Sequence, residues 1–556
     1  MDSSQSSSQK LKKVAIIGSD ISGMFSAWAL TQHSPLSVTI FEKSNKLFNY
    51  ASTVDFLPPG IPEKCTIDFL PETRVAVDIK PLHFDSKRTP NLSRAIDHLR
   101  VETIASPLDY GMSKWSISEQ ASEKLSQTDK DSLQFSLFDN NNSTTSSSTI
   151  KPTNPETISN PKNNRRILRQ NLWLSKREIS TEWSSFFSLS LFSKLTNLFN
   201  PKFYRSLLDY YRFTIEIKSF NSDFFVSPDA QLPICVYLTK KGYSPDFFNS
   251  FLKHVIINSG LFFNTRDVGI LKTWIVVHTM LQQNILSPQY SVQTRVIKGG
   301  SRRLLSVFQE NLLDVRLNTN IVKIIKNYTA DVLTSVTLVD KNNIEETFDY
   351  LIIAIPPNLV PPMFSEPLEK PLQDSLNSYH FLKNQYVLHA DSILMPSSSR
   401  AWSTINSIEA TIEGNTRNCC YVFVTINPVL DPNPRMVITT VSHKSIDLSN
   451  KKPSIFDESD TLDSDIIKFV GGWFGTGTLE DACYSGLSKA IQLGAKLPFE
   501  LLTPKLSSSN EHVNAVVLKF FPIFYDITST IISIIEKTFY VLLVAIIGIL
   551  VALYFY

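Results

Sequence analysis

The most informative pattern of apolar and polar positions lies near the start of the chain, in residues 12–43. Residues 14–17 are a short apolar run, which predicts a buried parallel strand. A glycine turn follows, and apolar residues then recur at helical spacing. A second apolar run at 38–41 predicts another buried strand and ends at Glu42. The pattern indicates a strand, a tight turn, a helix and a second strand, closed by an acid.

Each part of this pattern has a chemical reason in a dinucleotide-binding unit. Gly18 lets the chain leave the first strand in a tight turn, and Gly23 lets the helix pack close to the sheet. The helix N-terminus presents N–H groups to a pyrophosphate, and Glu42 can accept hydrogen bonds from an adenosine ribose. Asp20 stands where the middle glycine is expected, and a carboxylate there repels phosphate. The segment predicts dinucleotide binding; an ordinary strand–helix–strand unit without a nucleotide is the alternative.

The same patterns predict elements along the rest of the chain. The expected strands lie at 74–78, 332–339 and 350–355, with a strand pair at 315–325 and extended segments at 101–106 and 112–117. The expected helices lie at 89–99, 184–220, 244–283 and 303–311. Gly242 and Ser244 predict the end of one helix and the start of the next. Aromatic stripes at helical spacing in 184–220 and 244–283 are typical of a core and indicate a helical substrate domain.

The C-terminal residues 538–556 contain no charged side chain. At about 1.5 Å per residue this run is just long enough to cross a bilayer as a helix. Tyr540, Tyr554 and Tyr556 lie near its two ends, where amphipathic rings are favoured. We expect a tail anchor with the bulk of the protein in the cytosol; a buried C-terminal helix is the alternative. No basic tail follows, which favours the endoplasmic reticulum over the mitochondrial outer membrane. Residues 515–535 are apolar but interrupted, and could lie on the membrane surface.

Composition narrows the function classes. The 556 residues are 42% hydrophobic and 19% charged, as in globular proteins, and a net charge of +2 gives no case for nucleic acid. Five cysteines without CxxC or Cys/His ligand spacing argue against a metal site and against a disulfide framework. Residues 118–164 are rich in Ser, Thr and Asn, which predicts a disordered insertion. Residues 1–12 are polar and read as a disordered leader.

Several segments together carry a family resemblance. They are RVAVDIKPLHF (74–84), TPNL (89–92), KKGYSPDFF (240–248), VIKGGSRRLL (296–305), RLNTNIVKI (316–324), DYLIIAIP (349–356), YVLHADSILMPSSSRAWSTIN (386–406), YVFVTINPV (421–429) and FVGGWFGTGTLEDACYSGLSKAIQLG (469–494). With the opening motif they resemble the flavin-containing amine oxidase-like FAD/NAD(P)-binding oxidoreductases, in the branch associated with cyclopropane fatty acyl synthases. The resemblance implies an α/β fold: an FAD-binding Rossmann-like, two-dinucleotide-binding domain of the amine oxidase type, with an interleaved substrate domain and, here, a C-terminal transmembrane helix.

The resemblance also implies a domain order. FAD-binding parts would lie at 13–100, 291–365 and 456–500. A helical substrate region would occupy 101–290 and a substrate-domain sheet 366–455, followed by a linker at 501–537 and the tail anchor at 538–556.

The resemblance further assigns cofactor contacts. The residues that would bind FAD are Gly18, Ser22, Gly23, Glu42, Ile321, Gly471, Gly472, Trp473, Gly475, Glu480 and Asp481. The last two would begin a helix near the flavin tail, where the glycine-rich turn feeds an anion-binding N-terminus.

The chain departs from the family pattern at three places on this surface. Asp20 replaces a glycine, Phe48-Asn49 replaces a glycine pair, and Ile79-Lys80 replaces a Thr-Gly pair beside the flavin ring. Bulk at 79–80 could crowd the ring, or Lys80 could stabilise a reduced, anionic flavin. Weak catalytic candidates are His83, Lys80 and His389, the last paired with Asp391 on one strand face.

Two functions follow from these observations. The first is an FAD-dependent oxidoreductase acting on a lipophilic small-molecule substrate such as a fatty acyl chain. The second is a non-catalytic membrane-anchored protein on a degenerate flavoenzyme fold. The intact GGWFGTGTLEDA segment favours the enzyme, and the departures favour the alternative.

Overall fold

A computed structural model describes residues 11–47, 53–56, 75–80, 82–84, 86, 88–106, 110–117, 167–175, 200–258, 268–282, 294–389, 405–412, 415–422, 424–428, 432, 434, 437–448, 462–503 and 519–538. The strands are β1 (Lys13–Ile17), β2 (Ser37–Phe41), β3 (Thr53–Phe56), β4 (Val75–Asp78), β5 (Thr103–Ala105), β6 (Tyr110–Ile117), β7 (Ile167–Ser175), β8 (Arg295–Ile297), β9 (Asp314–Arg316), β10 (Ile321–Thr329), β11 (Val332–Asp340), β12 (Glu345–Phe348), β13 (Tyr350–Ile353), β14 (Phe381–His389), β15 (Ile405–Ile412), β16 (Asn415–Val422), β17 (Val424–Ile426), β18 (Val437–Ile446) and β19 (Ile467–Phe469).

The helices are α1 (Ile21–His33), α2 (Pro90–His98), α3 (Pro201–Lys218), α4 (Ser222–Val226), α5 (Pro228–Gln231), α6 (Ile234–Lys240), α7 (Pro245–Phe247), α8 (Lys253–Asn258), α9 (Thr273–Gln282), α10 (Arg302–Asn311), α11 (Lys370–Asn377) and α12 (Leu479–Gln492). Residues 519–538 form a further helix, α13. Short 3₁₀ turns occur at Val268–Ile270, Pro357–Leu359, Pro361–Met363 and Gly472–Phe474, and a π turn at Phe248–Leu252.

The centre of the molecule is a five-stranded parallel sheet in the order β19-β13-β1-β2-β9. Its central strand is apolar along its length because both faces are covered. Val14 and Ile16 pack into one core with α1, α2, α10 and α12, while Ala15 and Ile17 pack into the other with α3 and the helices that follow. Alternate side chains of a strand point to opposite faces, so one short run of sequence anchors both layers. The predicted strand–helix–strand opening is confirmed.

Two further sheets extend the fold. β10-β11-β12 form a three-stranded antiparallel meander. A seven-stranded sheet has the order β18-β14-β17-β16-β15-β6-β7 and is antiparallel except that β15 and β6 run parallel. The predicted strand pair at 315–325 is wrong as a pair. β9 adds to the parallel sheet beside β2, whereas β10 pairs with β11 in the meander, so the turn between them crosses from one sheet to another.

The predicted helix boundary at Gly242 and Ser244 is confirmed by its chemistry. Gly242 has a φ of 75°. This left-handed conformation commonly ends a helix, and glycine adopts it more readily than any other residue. The Ser244 hydroxyl accepts from the Phe247 amide at 3.3 Å and so caps the next turn. Ser244 also donates to the buried Asp209 carboxylate of α3, which ties this junction to the helical layer.

Several predictions fall outside the described residues. These include the insertion at 118–164, the leader at 1–10, Phe48-Asn49, Asp391 and residues 539–556 of the expected membrane helix. Among the helices that the structure does describe, none combines the length and the apolarity needed to cross a membrane.

Candidate functional site

The carboxyl ends of β1, β2, β13 and β19 meet at one edge of the parallel sheet, where such folds bind ligands. The glycine turn after β1 packs against this edge with no room for larger side chains. A Cβ on Gly18 would lie 2.7 Å from the Ala354 carbonyl, and one on Gly23 would lie 2.4 Å from the Gly18 carbonyl. The two glycines therefore hold the N-terminus of α1 directly against the sheet. Ser22, whose carbonyl contacts Gly486 of α12, fixes the same helix from behind.

Glu42, at the end of β2, is the most strongly held acid on this edge. Its Oε2 accepts from the Ser19 amide at 3.1 Å and hydroxyl at 2.6 Å, and its Oε1 accepts from the amide and hydroxyl of Ser44. Burial would raise the pKa of Glu42, but these hydrogen bonds outweigh it, and the pKa lies below its usual range. Glu42 is therefore a fixed, ionised acceptor beside the glycine turn.

The turn between β9 and β10, which leads from the parallel sheet to the meander, passes directly beside Glu42. The Thr319 amide donates to the Glu42 carbonyl at 2.9 Å, and the Asn318 amide to the Ser44 carbonyl at 3.0 Å. Ile321, two residues further on, opens β10 and is buried. The structure thus brings the predicted adenine contact and the predicted ribose acid together.

The glycine-rich turn after β19 leads into α12 at the same edge. Val470 continues the sheet by donating to the Ile353 carbonyl, and Gly471 donates its amide to the Ser485 hydroxyl at 3.0 Å. Gly472 accepts from the amides of Gly475 and Gly477, which closes the turn. Trp473 does not face outward. It stacks on Phe474 at 3.8 Å and lies buried in the core shared with α3.

Asp481 holds this turn in place. Its Oδ2 accepts from the Thr476 and Thr478 amides at 2.8 and 3.2 Å, and Thr478 accepts in return from the Asp481 amide. This is a reciprocal capping box at the start of α12. A Cβ on Gly475 would lie 2.2 Å from the Asp481 carboxyl carbon, so the glycine is required by the acid.

Glu480 reaches in the other direction and caps α2. Its carboxylate accepts from the amides of Asn91 and Leu92 at 3.0 Å each and from the Asn91 side chain at 2.7 Å. Burial raises the pKa of Glu480 to about 7. Both acids lie at the helix start that the sequence predicted, and their side chains there organise the protein around the cleft.

A charged cluster lies in the cleft between the parallel sheet and the seven-stranded sheet. The Asp20 side chain is solvent-accessible, yet burial among the surrounding protein raises its pKa; the Ile21 amide and Lys80 oppose that rise. Burial lowers the pKa of Lys80 to about 7, against the attraction of Asp20. Burial and Lys80 together lower the pKa of His443, on β18, to about 3. The attraction between Asp20 and Lys80 and the repulsion between Lys80 and His443 place these three groups near one another.

The wall of this cleft beside Lys80 is apolar. Ile79 is buried against Tyr386, Leu388 and Val424 of the seven-stranded sheet. The preceding Asp78 fixes this segment from the other side, since it accepts from the Ser301 amide and hydroxyl and from the Thr53 hydroxyl at 2.6 to 3.0 Å. Lys80 therefore follows directly on two residues that are held in place.

The two histidine candidates differ in placement. Burial and Arg88 lower the pKa of His83 to about 4, so it is neutral at pH 7. His389 is buried at the end of β14, where its Nε2 hydrogen-bonds the Thr425 hydroxyl of β17. That bond joins two strands of one sheet. Of the three catalytic candidates, Lys80 alone is brought against residues of both sheets.

The residues present fit FAD, the cofactor expected from the family resemblance. Glu42 offers a fixed carboxylate to a ribose, and α1 has no acidic residue in its first turn, so its N-terminal amides suit a pyrophosphate. The departure is Asp20, whose carboxylate stands at that N-terminus. Burial raises the pKa of Asp20 and so favours its neutral form, whereas the Lys80 cation favours the ionised form and offsets part of its negative charge.

Four further residues of the site were not singled out from the sequence. Ser19 and Ser44 orient Glu42, and Tyr386 and His443 line the cleft opposite the nucleotide-binding sheet. The serines flank the glycine turn and the acid, so their positions carried a local signal. Tyr386 and His443 carried none, because strand pairing across the seven-stranded sheet is what places them.

Comparison with known proteins agrees with this geometry. Residues 16–99 match the model of the NAD(P)-binding Rossmann-like domain, and residues 173–439 match that of the flavin containing amine oxidoreductase. No curated protein sequence matches the chain.

Solved structures of low sequence identity are similar to this chain over most of its length. The CLA-producing fatty acid isomerase from P. acnes is 8% identical at a TM-score of 0.52, covering 87% of this chain and 99% of that one. Putrescine oxidase bound to putrescine is 12% identical at a TM-score of 0.48, covering 87% and 99%. Cyclohexylamine oxidase from Brevibacterium oxydans is 13% identical at 0.46, covering 86% and 98%.

The branch associated with cyclopropane fatty acyl synthases is not distinguished by these matches. The Rossmann-like and amine oxidoreductase matches, with the fixed Glu42 carboxylate at the carboxyl edge of a parallel sheet, identify the chain as an FAD-dependent oxidoreductase with the α/β fold of the flavin-containing amine oxidases.

Proposed function

We propose that this oxidoreductase acts on a lipophilic small molecule, with a fatty acyl chain as the representative substrate, while attached to a membrane. The observation that carries the substrate class is the apolar cluster beside Lys80, where Ile79 packs with Tyr386 and Val424. Apolar lining favours a ligand that loses little on leaving water. The shared fold of a fatty acid isomerase at a TM-score of 0.52 is consistent with it, as analogy.

The chain's own residues have separable roles in this proposal. FAD, when bound, supplies the hydride chemistry at a C–N or C–C bond. Glu42 would bind the ribose, and the N-terminal amides of α1 would bind the pyrophosphate. Lys80 provides a cation inside the cleft, where a low dielectric strengthens its field. Ile79 and Tyr386 exclude water from the space in which substrate lies.

Membrane attachment through residues 538–556 rests on their sequence. The run is free of charge, and a single crossing with the catalytic part in the cytosol matches its length.

The test is an absorption spectrum of the full chain, purified in detergent, followed by anaerobic titration with candidate substrates. We expect flavin bands near one equivalent, and bleaching of those bands by a long-chain fatty acid but not by putrescine. Bleaching by putrescine alone would overturn the lipophilic substrate and leave the flavoenzyme intact. A folded, colourless protein that does not bind added FAD would overturn both the flavoenzyme and the lipophilic substrate. It would favour the non-catalytic alternative.

Lys80→Met should remove a pH dependence of FAD affinity centred near pH 7. Lys80 is cationic below its pKa of about 7 and neutral above it, so its attraction for the anionic cofactor is lost as pH rises. We expect wild-type affinity to fall about threefold between pH 6 and 8 beyond any change in the variant. Isothermal titration at several pH values measures this.

The matched control is Lys43→Met, at an exposed lysine just beyond Glu42. Glu480 also titrates near pH 7. Any effect of Glu480 on the pH dependence of FAD affinity is present in both the wild type and Lys80→Met, so it cancels when the two are compared. An unchanged pH profile in Lys80→Met would show that Lys80 does not face the cofactor.

A further inference from the structure

Helix α13 (519–538) has an unusual distribution of side chains. Large apolar residues lie on its solvent side, each between 51% and 59% exposed: Phe520, Ile523, Phe524, Ile527, Ile531, Ile534 and Ile535. Their spacing of three and four residues places them on one continuous stripe. Other large apolar residues exposed in the described part of the chain occur singly. A patch of this size is rare on a soluble monomer and marks an interaction surface.

The opposite face of α13 packs on the protein and mixes apolar with polar groups. Tyr525 is buried, and Phe521, Thr528, Ser529, Ile532 and Ser533 are half-buried beside it. The helix is therefore amphipathic in the inverted sense: its most apolar face points away from the core. Burial against the rest of the chain does not explain seven isoleucine and phenylalanine side chains that face solvent.

A specific contact fixes which way the stripe points. The Tyr525 hydroxyl donates to Asp209 Oδ1 at 2.5 Å, and Asp209 is fully buried in α3, where Ser244 occupies its other oxygen. The Arg212 guanidinium lies 4.7 Å from the Tyr525 ring centroid. A buried carboxylate that needs this hydroxyl holds the helix against rotation.

A third face of α13 is polar and exposed, formed by Lys519, Asp526, Thr530 and Lys537. Successive residues of this set lie seven, four and seven positions apart, which places them on one edge of the apolar stripe. An apolar stripe bordered by charges is the arrangement of a helix that lies in the plane of a membrane interface. The chain then continues directly into residues 539–556, which are apolar and uncharged.

We propose that the apolar stripe of α13 lies in a lipid bilayer surface, with the Tyr525–Asp209 contact setting the orientation of the helical layer above it. The proposed occupant is lipid, because the uncharged run at 539–556 follows α13 directly in the sequence. If that run is inserted in a membrane, it keeps the apolar stripe of α13 at the membrane interface. This inference rests on the membrane attachment proposed above and is independent of the flavin chemistry. The proposed orientation turns one side of the helical layer, the side that carries α13, toward an apolar phase.

The test places a photoreactive p-benzoylphenylalanine at single positions of the full chain. The protein is reconstituted into vesicles of phosphatidylcholine and phosphatidylserine with labelled acyl chains. Ile531 reports on the stripe, Asp526 on the polar edge of the same helix as the matched control, and Leu543 on the attached run. We expect labelled lipid at Ile531 several-fold above that at Asp526, together with lipid at Leu543.

The outcomes separate the two membrane claims. Lipid at Leu543 with none at Ile531 would overturn the surface helix and leave the anchor intact. No lipid at either position would overturn both. A cross-linked dimer at Ile531 in place of lipid would overturn the proposal and assign the stripe to a second copy of the chain. Lipid at Ile531 and Asp526 alike would overturn the fixed orientation.

Discussion

Glu42→Ala should weaken FAD binding by about a hundredfold, because a ribose hydrogen bond to a charged carboxylate is worth about 1.5–3 kcal/mol, the upper part of which corresponds to that factor. The carboxylate is ionised and already oriented by Ser19 and Ser44, so the wild-type protein needs no free energy to orient it when FAD binds. The measurement is the dissociation constant of FAD, from quenching of flavin fluorescence at pH 7.5.

The control for Glu42 separates binding from folding. Ser19 and Ser44 lose their acceptor in Glu42→Ala, so circular dichroism and a thermal melt of the cofactor-free protein are compared with the wild type. Glu42→Gln keeps the shape of the side chain and removes its charge, and we expect it to lie between the two. Wild-type affinity in a folded Glu42→Ala protein would show that the ribose binds elsewhere.

The elements around the first nucleotide-binding unit could be predicted because their causes are local. An apolar run of four residues, a glycine that must adopt a positive φ and a strand that ends in an acid are all adjacent in sequence. Gly18 has a φ of 99° and abuts Ala354, a contact that its family position already implied. The same holds for α12, where the capping box is written in consecutive residues.

The rest of the site depends on contacts between distant parts of the chain. Glu480 caps α2, whose Asn91 is almost four hundred positions earlier in the sequence, and no local pattern distinguishes such a cap from a cofactor ligand. Trp473 likewise packs inward against residues from elsewhere. The predicted strand pair at 315–325 failed for the same reason, since which sheet a strand joins is decided by its partners.

Asp20 shows the limit of a motif on its own. At that position the family pattern has glycine, and the sequence gives no means of telling a lost site from a modified one. The structure adds Lys80, which extends from a segment anchored by Asp78 and attracts the Asp20 carboxylate across the cleft. The positive charge of Lys80 therefore opposes the negative charge that Asp20 brings in place of the family's glycine.

Asp20→Gly should tighten FAD binding about tenfold, since a carboxylate facing a pyrophosphate costs on the order of 1–2 kcal/mol at the dielectric of a protein cleft. Asp20 makes no side-chain cap to α1, and glycine is a tolerated N-cap, so the helix loses little. Because burial raises the pKa of Asp20, acid conditions neutralise it, and wild-type affinity should improve as pH falls while that of Asp20→Gly should not gain from this source.

Asp20→Asn tells charge from bulk at the same position. If repulsion dominates, Asp20→Asn recovers most of the gain; if the side chain narrows the gap, only Asp20→Gly does. The double variant with Lys80→Met completes a cycle, and we expect the gain from Asp20→Gly to be larger when Lys80 is absent, because Lys80 no longer offsets the carboxylate. Weaker FAD binding by Asp20→Gly would instead mean that this carboxylate is itself a cofactor ligand, with the Lys80 ammonium serving to orient it.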